Sequence, residues 1–211
     1  MKNTNRFVIS DTHFGHTNSW AKFKCIDGSP LRPFTSNEEM DEAMIDRWNA
    51  KVKDGDTVYH LGDVSIARKG LQQVKRLNGR KILIRGNHDV FKDEDYKEIG
   101  FQQIHGVRVF VDKFILSHIP LHPGSVSDRF RVNVHGHLHG NQVMSIKSVG
   151  PGPMDIEYSD EPSLGYLCVS VEQTNFEPLH FDEVEARVKA RWDAAGYEPK
   201  AKAWGNGSGP G

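Results

Sequence analysis

Residues 6–16, "RFVISDTHFGH", run from a short apolar segment straight into a cluster of acid and imidazole side chains. Five residues rich in Phe, Val and Ile are too few for a buried helix and read as a strand. The same order returns at 57–63, "TVYHLGD", and at 81–89, "KILIRGNHD". Helix-like segments lie between the strands. Residues 36–52 carry Met40, Met44, Ile45 and Trp48 at helical spacing, behind a capping-box pattern of Ser36 and Glu39. A "KDGD" turn closes that segment, and residues 67–77 predict a second helix. Strand, polar cluster and helix in repeated order predict a parallel sheet with crossover helices, whose active site gathers where the strands meet the following loops.

After about residue 100 the pattern becomes richer in strands. "GVRVFVDKFILSH" reads as two strands around Asp112 and Lys113, "RVNVHG" as another and "YLCVSVE" as a further one. A last helix over 182–195 carries Val184, Val188 and Trp192 as its buried stripe. Residues 1–198 read as a single domain and 199–211, rich in Gly, as a flexible tail. Residues 17–35 form a Pro- and Gly-broken connection that fits a lid or a packed loop equally. The acidic, proline-containing stretch 151–165 reads as a solvated connection.

Composition narrows the function classes. With 27 Lys and Arg against 28 Asp and Glu, the chain lacks the basic footprint of a duplex-binding protein. No run of about 18 apolar residues is present to span a bilayer. The opening "MKNTNRFVIS" is too short in apolar residues for a signal peptide, so a cytoplasmic protein is expected. Cys25 and Cys168 are far apart and offer neither a disulfide framework nor a thiolate metal site.

The strand ends collect Asp11, His13, Asp63, Asn87, His118, His137 and His139. These are oxygen and nitrogen donors of intermediate hardness without a thiolate, a set that suits divalent ions of the Mn, Fe, Zn or Ni kind. Two ions need about seven or eight protein contacts. A bridging Asp63 would raise seven residues to eight contacts. The alternate spacing of Asp11 with His13, and of His137 with His139, is read as two extended strand ends presenting both side chains to one side. Glycines before Asp63, Asn87 and His137 fit places where the backbone must turn or approach closely.

The ordered set "DTH", "GD", "GNHD", "SH" and "GHLH", over residues 11–139, resembles the calcineurin-like metallophosphoesterase superfamily, and most closely its small stand-alone bacterial and phage phosphoesterases. The resemblance implies a four-layer α/β/β/α sandwich with a dinuclear site. One ion would take Asp11, His13, Asp63 and His139, and the other Asp63, Asn87, His118 and His137. His88 would face the substrate as general acid, with Asp89 orienting its ring. Manganese is the favoured ion. The implied reaction is hydrolysis of a phosphomonoester or phosphodiester, a small nucleotide or cyclic phosphodiester first, by a hydroxide shared between the ions. "GDVSIAR" and "GNHD" depart from the "GDxxDRG" and "GNHE" of the protein-phosphatase branch, which disfavours a protein substrate. A nuclease is the enzymatic alternative, and a non-catalytic metal-binding scaffold the other.

Outside this set, His16 and Arg68 are candidate substrate-binding residues. His60, inside a strand, is expected to be buried and hydrogen-bonded. His122 and His135 could support the ligands from behind. His105 and His180 read as ordinary surface or core residues.

Overall fold

A computed structural model describes residues 4–25, 27–110, 113–125, 131–152 and 155–198. Along the chain these form β1 (Arg6–Ile9), α1 (Asn18–Ala21), α2 (Asn37–Lys51), β2 (Thr57–His60), α3 (Arg68–Leu71), β3 (Arg80–Ile84), α4 (Asp93–Glu98), β4 (Phe101–His105), β5 (Val107–Phe110), β6 (Phe114–Ser117), β7 (Val132–His135), β8 (Met144–Val149), β9 (Ile156–Pro162), β10 (Tyr166–Cys168), β11 (Leu179–His180) and α5 (Phe181–Ala194). The tail 199–211 and Asp112 lie outside the described residues.

The chain is mixed α/β, with parallel pairings in two sheets. The first has the order β11-β1-β2-β3-β4, in which β1 to β4 are parallel and β11 runs against β1. The second has the order β10-β7-β6-β5, with β10, β7 and β6 parallel and β5 antiparallel to β6. A separate hairpin pairs β8 with β9.

Two cores follow from the period-2 alternation of the strands. Phe7, Ile9, Val58 and Leu83 on one face of the first sheet pack with Met40, Met44, Ile45 and Trp48 of α2. Val8, Tyr59, Leu61 and Ile84 on the other face meet Phe114, Leu116, Val132, Val134 and Leu167 of the second sheet. Phe181, Val184, Val188 and Trp192 bring the buried stripe of α5 into that second core. The Ser36 hydroxyl caps α2 by accepting from the Glu39 N–H at 3.0 Å. The Glu39 carboxylate does not complete the box; it accepts from the Thr35 N–H and hydroxyl instead.

Two expectations are corrected. Residues 67–77 are not one helix: α3 is a single turn and passes into a 3₁₀ helix over Gln72–Arg76. Leu71, Val74 and Leu77 are all buried, and their spacing of three matches the three residues per turn of a 3₁₀ helix. The stretch 151–165 is not wholly a connection, because Ile156–Pro162 pairs with β8. That strand is nearly all exposed, so it turns no buried face toward a core. α4 and β4 lie at the point where the sequence pattern changes, and neither is expected from it. No described helix is long and apolar enough to cross a membrane.

Candidate metal centre

Parallel pairing sets the C-terminal ends of β1, β2 and β3 side by side, and the ends of β6 and β7 likewise. A parallel bridge between Ser10 and Ser170 ties the end of β1 to the segment after β10. The loops carrying Asp11 and His13, Asp63, Asn87 and His88, His118, and His137 and His139 therefore share one rim.

The donors fall into two groups, Asp11 with His13 and His139, and Asp63 with His118 and His137; within each, one donor atom per residue lies within 4.8 Å of the others. Asp11 Oδ1 stands 3.9 Å from His13 Nε2 and 4.0 Å from His139 Nε2. Asp63 Oδ2 stands 3.5 Å from His13 Nε2 and 3.5 Å from His118 Nε2, so one oxygen touches both groups. Asn87 Oδ1 is 2.8 Å from His118 Nε2. Donors about 2.1 Å from a common ion at tetrahedral angles stand roughly 3.4 Å apart, close to the spacing seen here. Asp11 Oδ1 is buried and has no hydrogen-bond partner among the described residues, whereas Oδ2 accepts from the Ser170 hydroxyl and the His137 N–H. An orphaned, buried carboxylate oxygen aimed between two imidazoles fits a divalent cation.

The backbone explains how the donors converge, and it corrects the extended-strand reading. Asp11, His13, Asp63, His137 and His139 have φ of 59°, 45°, 56°, 68° and 52°, all in the left-handed region. Such residues are uncommon outside glycine and cost of order 1–3 kcal/mol each. Each pair converges because both members sit in this strained conformation, not because a strand end is extended. The preceding glycines allow close passage: a Cβ on Gly62 would lie 2.4 Å from the Gly86 nitrogen, and one on Gly136 2.0 Å from Ser10 Oγ.

Shifts among the donors run both ways: burial raises the Asp11 carboxyl, and although burial lowers His118 and His139, Asp63 and Glu172 outweigh it and raise both imidazoles, whereas Asp63 and His13 are held in the form that binds metal. Burial pushes the Asp63 carboxyl up, but the His118 hydrogen bond and charge, the His88 N–H and His13 outweigh it and hold it at about 2. Burial keeps the His13 imidazole neutral, well below its ordinary value. His118 Nδ1 donates to the Leu61 carbonyl at 2.7 Å, which leaves Nε2 turned to Asp63 and Asn87.

His88 is exposed at this rim, its ring 5.6 Å from that of His13 and its N–H donating to Asp63 Oδ1 at 2.9 Å. His16 also stands beside His13, at 5.8 Å between rings. Asp89 does not orient the His88 ring. Its Oδ2 accepts from the Asp63 and Gly86 N–H groups and its Oδ1 from the Val64 N–H and the Tyr96 hydroxyl, so the carboxylate clamps two ligand loops together. Arg68 is engaged elsewhere, in a two-pronged ion pair with Asp95 and over the ring of Phe91.

His60 is buried, with Nε2 3.0 Å from the Thr12 hydroxyl and Nδ1 accepting from the Gly62 N–H. His135 donates to the Gly136 carbonyl and belongs to neither group. His122 accepts from the Gly124 N–H, His105 pairs with Gln103 and His180 caps α5. Sequence reasoning missed Arg32, Ser170 and Glu172. Arg32 sits in the 17–35 connection, fully buried, and Glu172 lies just past β10, so no local spacing announces either.

Residues 5–174 match the model of the calcineurin-like phosphoesterase superfamily domain. The chain belongs to that superfamily. It is 32% identical over 185 residues to an uncharacterized protein of Methanocaldococcus jannaschii, covering 83% of this chain and 86% of that one. Among solved structures, a protein of unknown function from Aquifex aeolicus superposes with a TM-score of 0.58 at 25% identity, covering 88% of this chain and all of that one. A nuclease of Pseudomonas putida matches at a TM-score of 0.42 and 23% identity, over 64% of this chain and 61% of its own; likeness at that level says nothing of activity.

Proposed function

We propose that this member of the superfamily is a metal-dependent phosphoesterase that holds two divalent ions and hydrolyses a small phosphomonoester or phosphodiester, a nucleotide or cyclic phosphodiester first. Asp63 carries the reading, because its Oδ2 lies 3.5 Å from a ring nitrogen of each donor group and can be shared by two ions. Bound there, two ions supply an activated water and a charge clamp for the phosphoryl oxygens. Manganese is the first ion to try, with Fe, Zn and Ni fitting the same donors.

The chain's own residues do the rest. Asp11, His13 and His139 form one side of the cradle, and Asn87, His118 and His137 the other. His88, exposed at the rim beside His13, is the general acid: its ring N–H gives a proton to the departing alkoxide oxygen. His16, its ring 5.8 Å from that of His13, would border the substrate phosphate. Arg68 is left out of this account because Asp95 already holds it.

Manganese-loaded protein should hydrolyse bis(p-nitrophenyl) phosphate and at least one of a panel of phosphomonoesters and cyclic nucleotides. His88→Ala should slow an alkyl phosphodiester far more than the nitrophenyl ester, whose leaving group needs no proton. Equal slowing of both would remove His88 as the acid. Two bound ions with no hydrolysis across the panel would favour a metal-binding scaffold instead.

A further inference from the structure

The two donor groups are held from behind in different ways. His118 is steadied by a neutral backbone carbonyl. His139 is steadied by a carboxylate: Glu172 Oε1 accepts from its Nδ1–H at 3.1 Å. The same Oε1 accepts from Arg32 Nε at 2.8 Å. Arg32 is fully buried, and its remaining nitrogens donate to the carbonyl of Thr12 at 2.8 Å and to that of Asp11 at 2.6 Å. One guanidinium from the 17–35 connection thus joins the loop bearing Asp11 and His13 to the carboxylate that holds His139.

We infer that Arg32 and Glu172 are positioning residues for the ion of the Asp11, His13 and His139 group, which set the His139 tautomer and fix the spacing of all three ligands, so that this ion is held more tightly than its neighbour. The inference rests on the proposal that this group binds metal. An imidazole that donates from Nδ1 to a carboxylate is protonated there and keeps the Nε2 lone pair for a ligand bond. Nε2 is the atom facing Asp11 Oδ1, 4.0 Å away. The burial of the pair explains its geometry. A charge removed from water must be paired and hydrogen-bonded, and Arg32 meets that need with the two carbonyls whose positions define the ligand loop. The connection is therefore part of the metal cradle from below, whatever its outer surface does.

Titration calorimetry with Mn²⁺ on the metal-free protein tests this, together with long-range ¹H–¹⁵N correlation of the histidine rings. Wild type should bind two ions of unequal affinity and show His139 protonated at Nδ1 before metal is added. Glu172→Leu combined with Arg32→Met removes both charges together and should weaken one ion by about 10–100-fold, the usual cost of losing a partner behind a ligand, while sparing the other. Glu172→Gln keeps an acceptor for the Nδ1–H and should fall between. Wild type that binds no ion would overturn the metal reading itself. Wild type with two ions but His139 protonated at Nε2, or a folded double variant with both affinities unchanged, would overturn the inference alone. The ring correlation on wild type decides the matter even where the double variant fails to fold.

Discussion

Replacing Asp89 by Asn separates a clamp from a catalytic partner. The carboxylate receives four hydrogen bonds, from the N–H groups of Asp63 and Gly86 at 2.8 Å each, from that of Val64 at 3.0 Å and from the Tyr96 hydroxyl at 3.3 Å. An Asn side chain can keep its oxygen toward Asp63 and Gly86. Its amide NH₂ then faces the Val64 N–H, donor against donor, while the Tyr96 hydroxyl turns to accept. One buried N–H is left unsatisfied, a cost of about 1–3 kcal/mol. Asp89→Ala strands all three amides and should cost more than twice as much. Urea unfolding of the metal-free protein measures both. The leaving-group preference of the manganese-loaded Asn variant should match wild type, because nothing in the Asp89 contacts reaches the His88 ring. An Asn variant of undiminished stability that loses activity selectively toward alkyl leaving groups would refute the clamp and restore the ring-orienting role.

Buried His60 should make stability depend on pH. Burial holds its folded value down to about 3, against an ordinary value near 6.5. Below 6.5 the unfolded chain takes up a proton that the folded one refuses, so this contribution is complete above pH 6.5 and is lost as pH falls toward 3. Over 1.5 pH units, from 6.5 to 5, the loss is about 2 kcal/mol. His60→Gln should therefore lose about 2 kcal/mol less than wild type between pH 7 and 5 in urea unfolding; equal losses would count against it. Gly136→Ala would put a Cβ 2.4 Å from Asp11 Oδ2 and 2.0 Å from Ser10 Oγ. It should cost about 1–3 kcal/mol or more and weaken manganese binding. Gly55→Ala, with nothing within 4 Å of its Cβ, is the control, and comparable losses in both would discredit the packing argument.

The donors were legible because parallel strands of known order deliver their following residues to one rim, and because Asp, His and Asn stand out there. How they converge was not legible. Asp and His tolerate a left-handed φ better than most residues, but residue type alone does not say which of them adopt it, as Asp11 and His139 do. Arg32 and Glu172 were invisible for another reason: 140 positions separate them, and each has meaning only against the other. The error on Asp89 has the same source. The resemblance implied a ring partner for His88, whereas the contacts of Asp89 are the Tyr96 hydroxyl and backbone amides up to 26 positions away. The exposed hairpin of β8 and β9 lacks the buried face by which strands are read.

The proposed dinuclear site depends on Asp63 Oδ2 being shared by two ions, and metal stoichiometry with and without that carboxylate tests this directly. Wild type equilibrated with Mn²⁺ and freed of excess should carry two ions per chain by elemental analysis and hydrolyse bis(p-nitrophenyl) phosphate. Asp63→Asn, which keeps the side chain's shape and removes its charge, should retain no more than one ion and lose that hydrolysis. A variant that still carries two ions and hydrolyses at the wild-type rate would contradict the dinuclear reading.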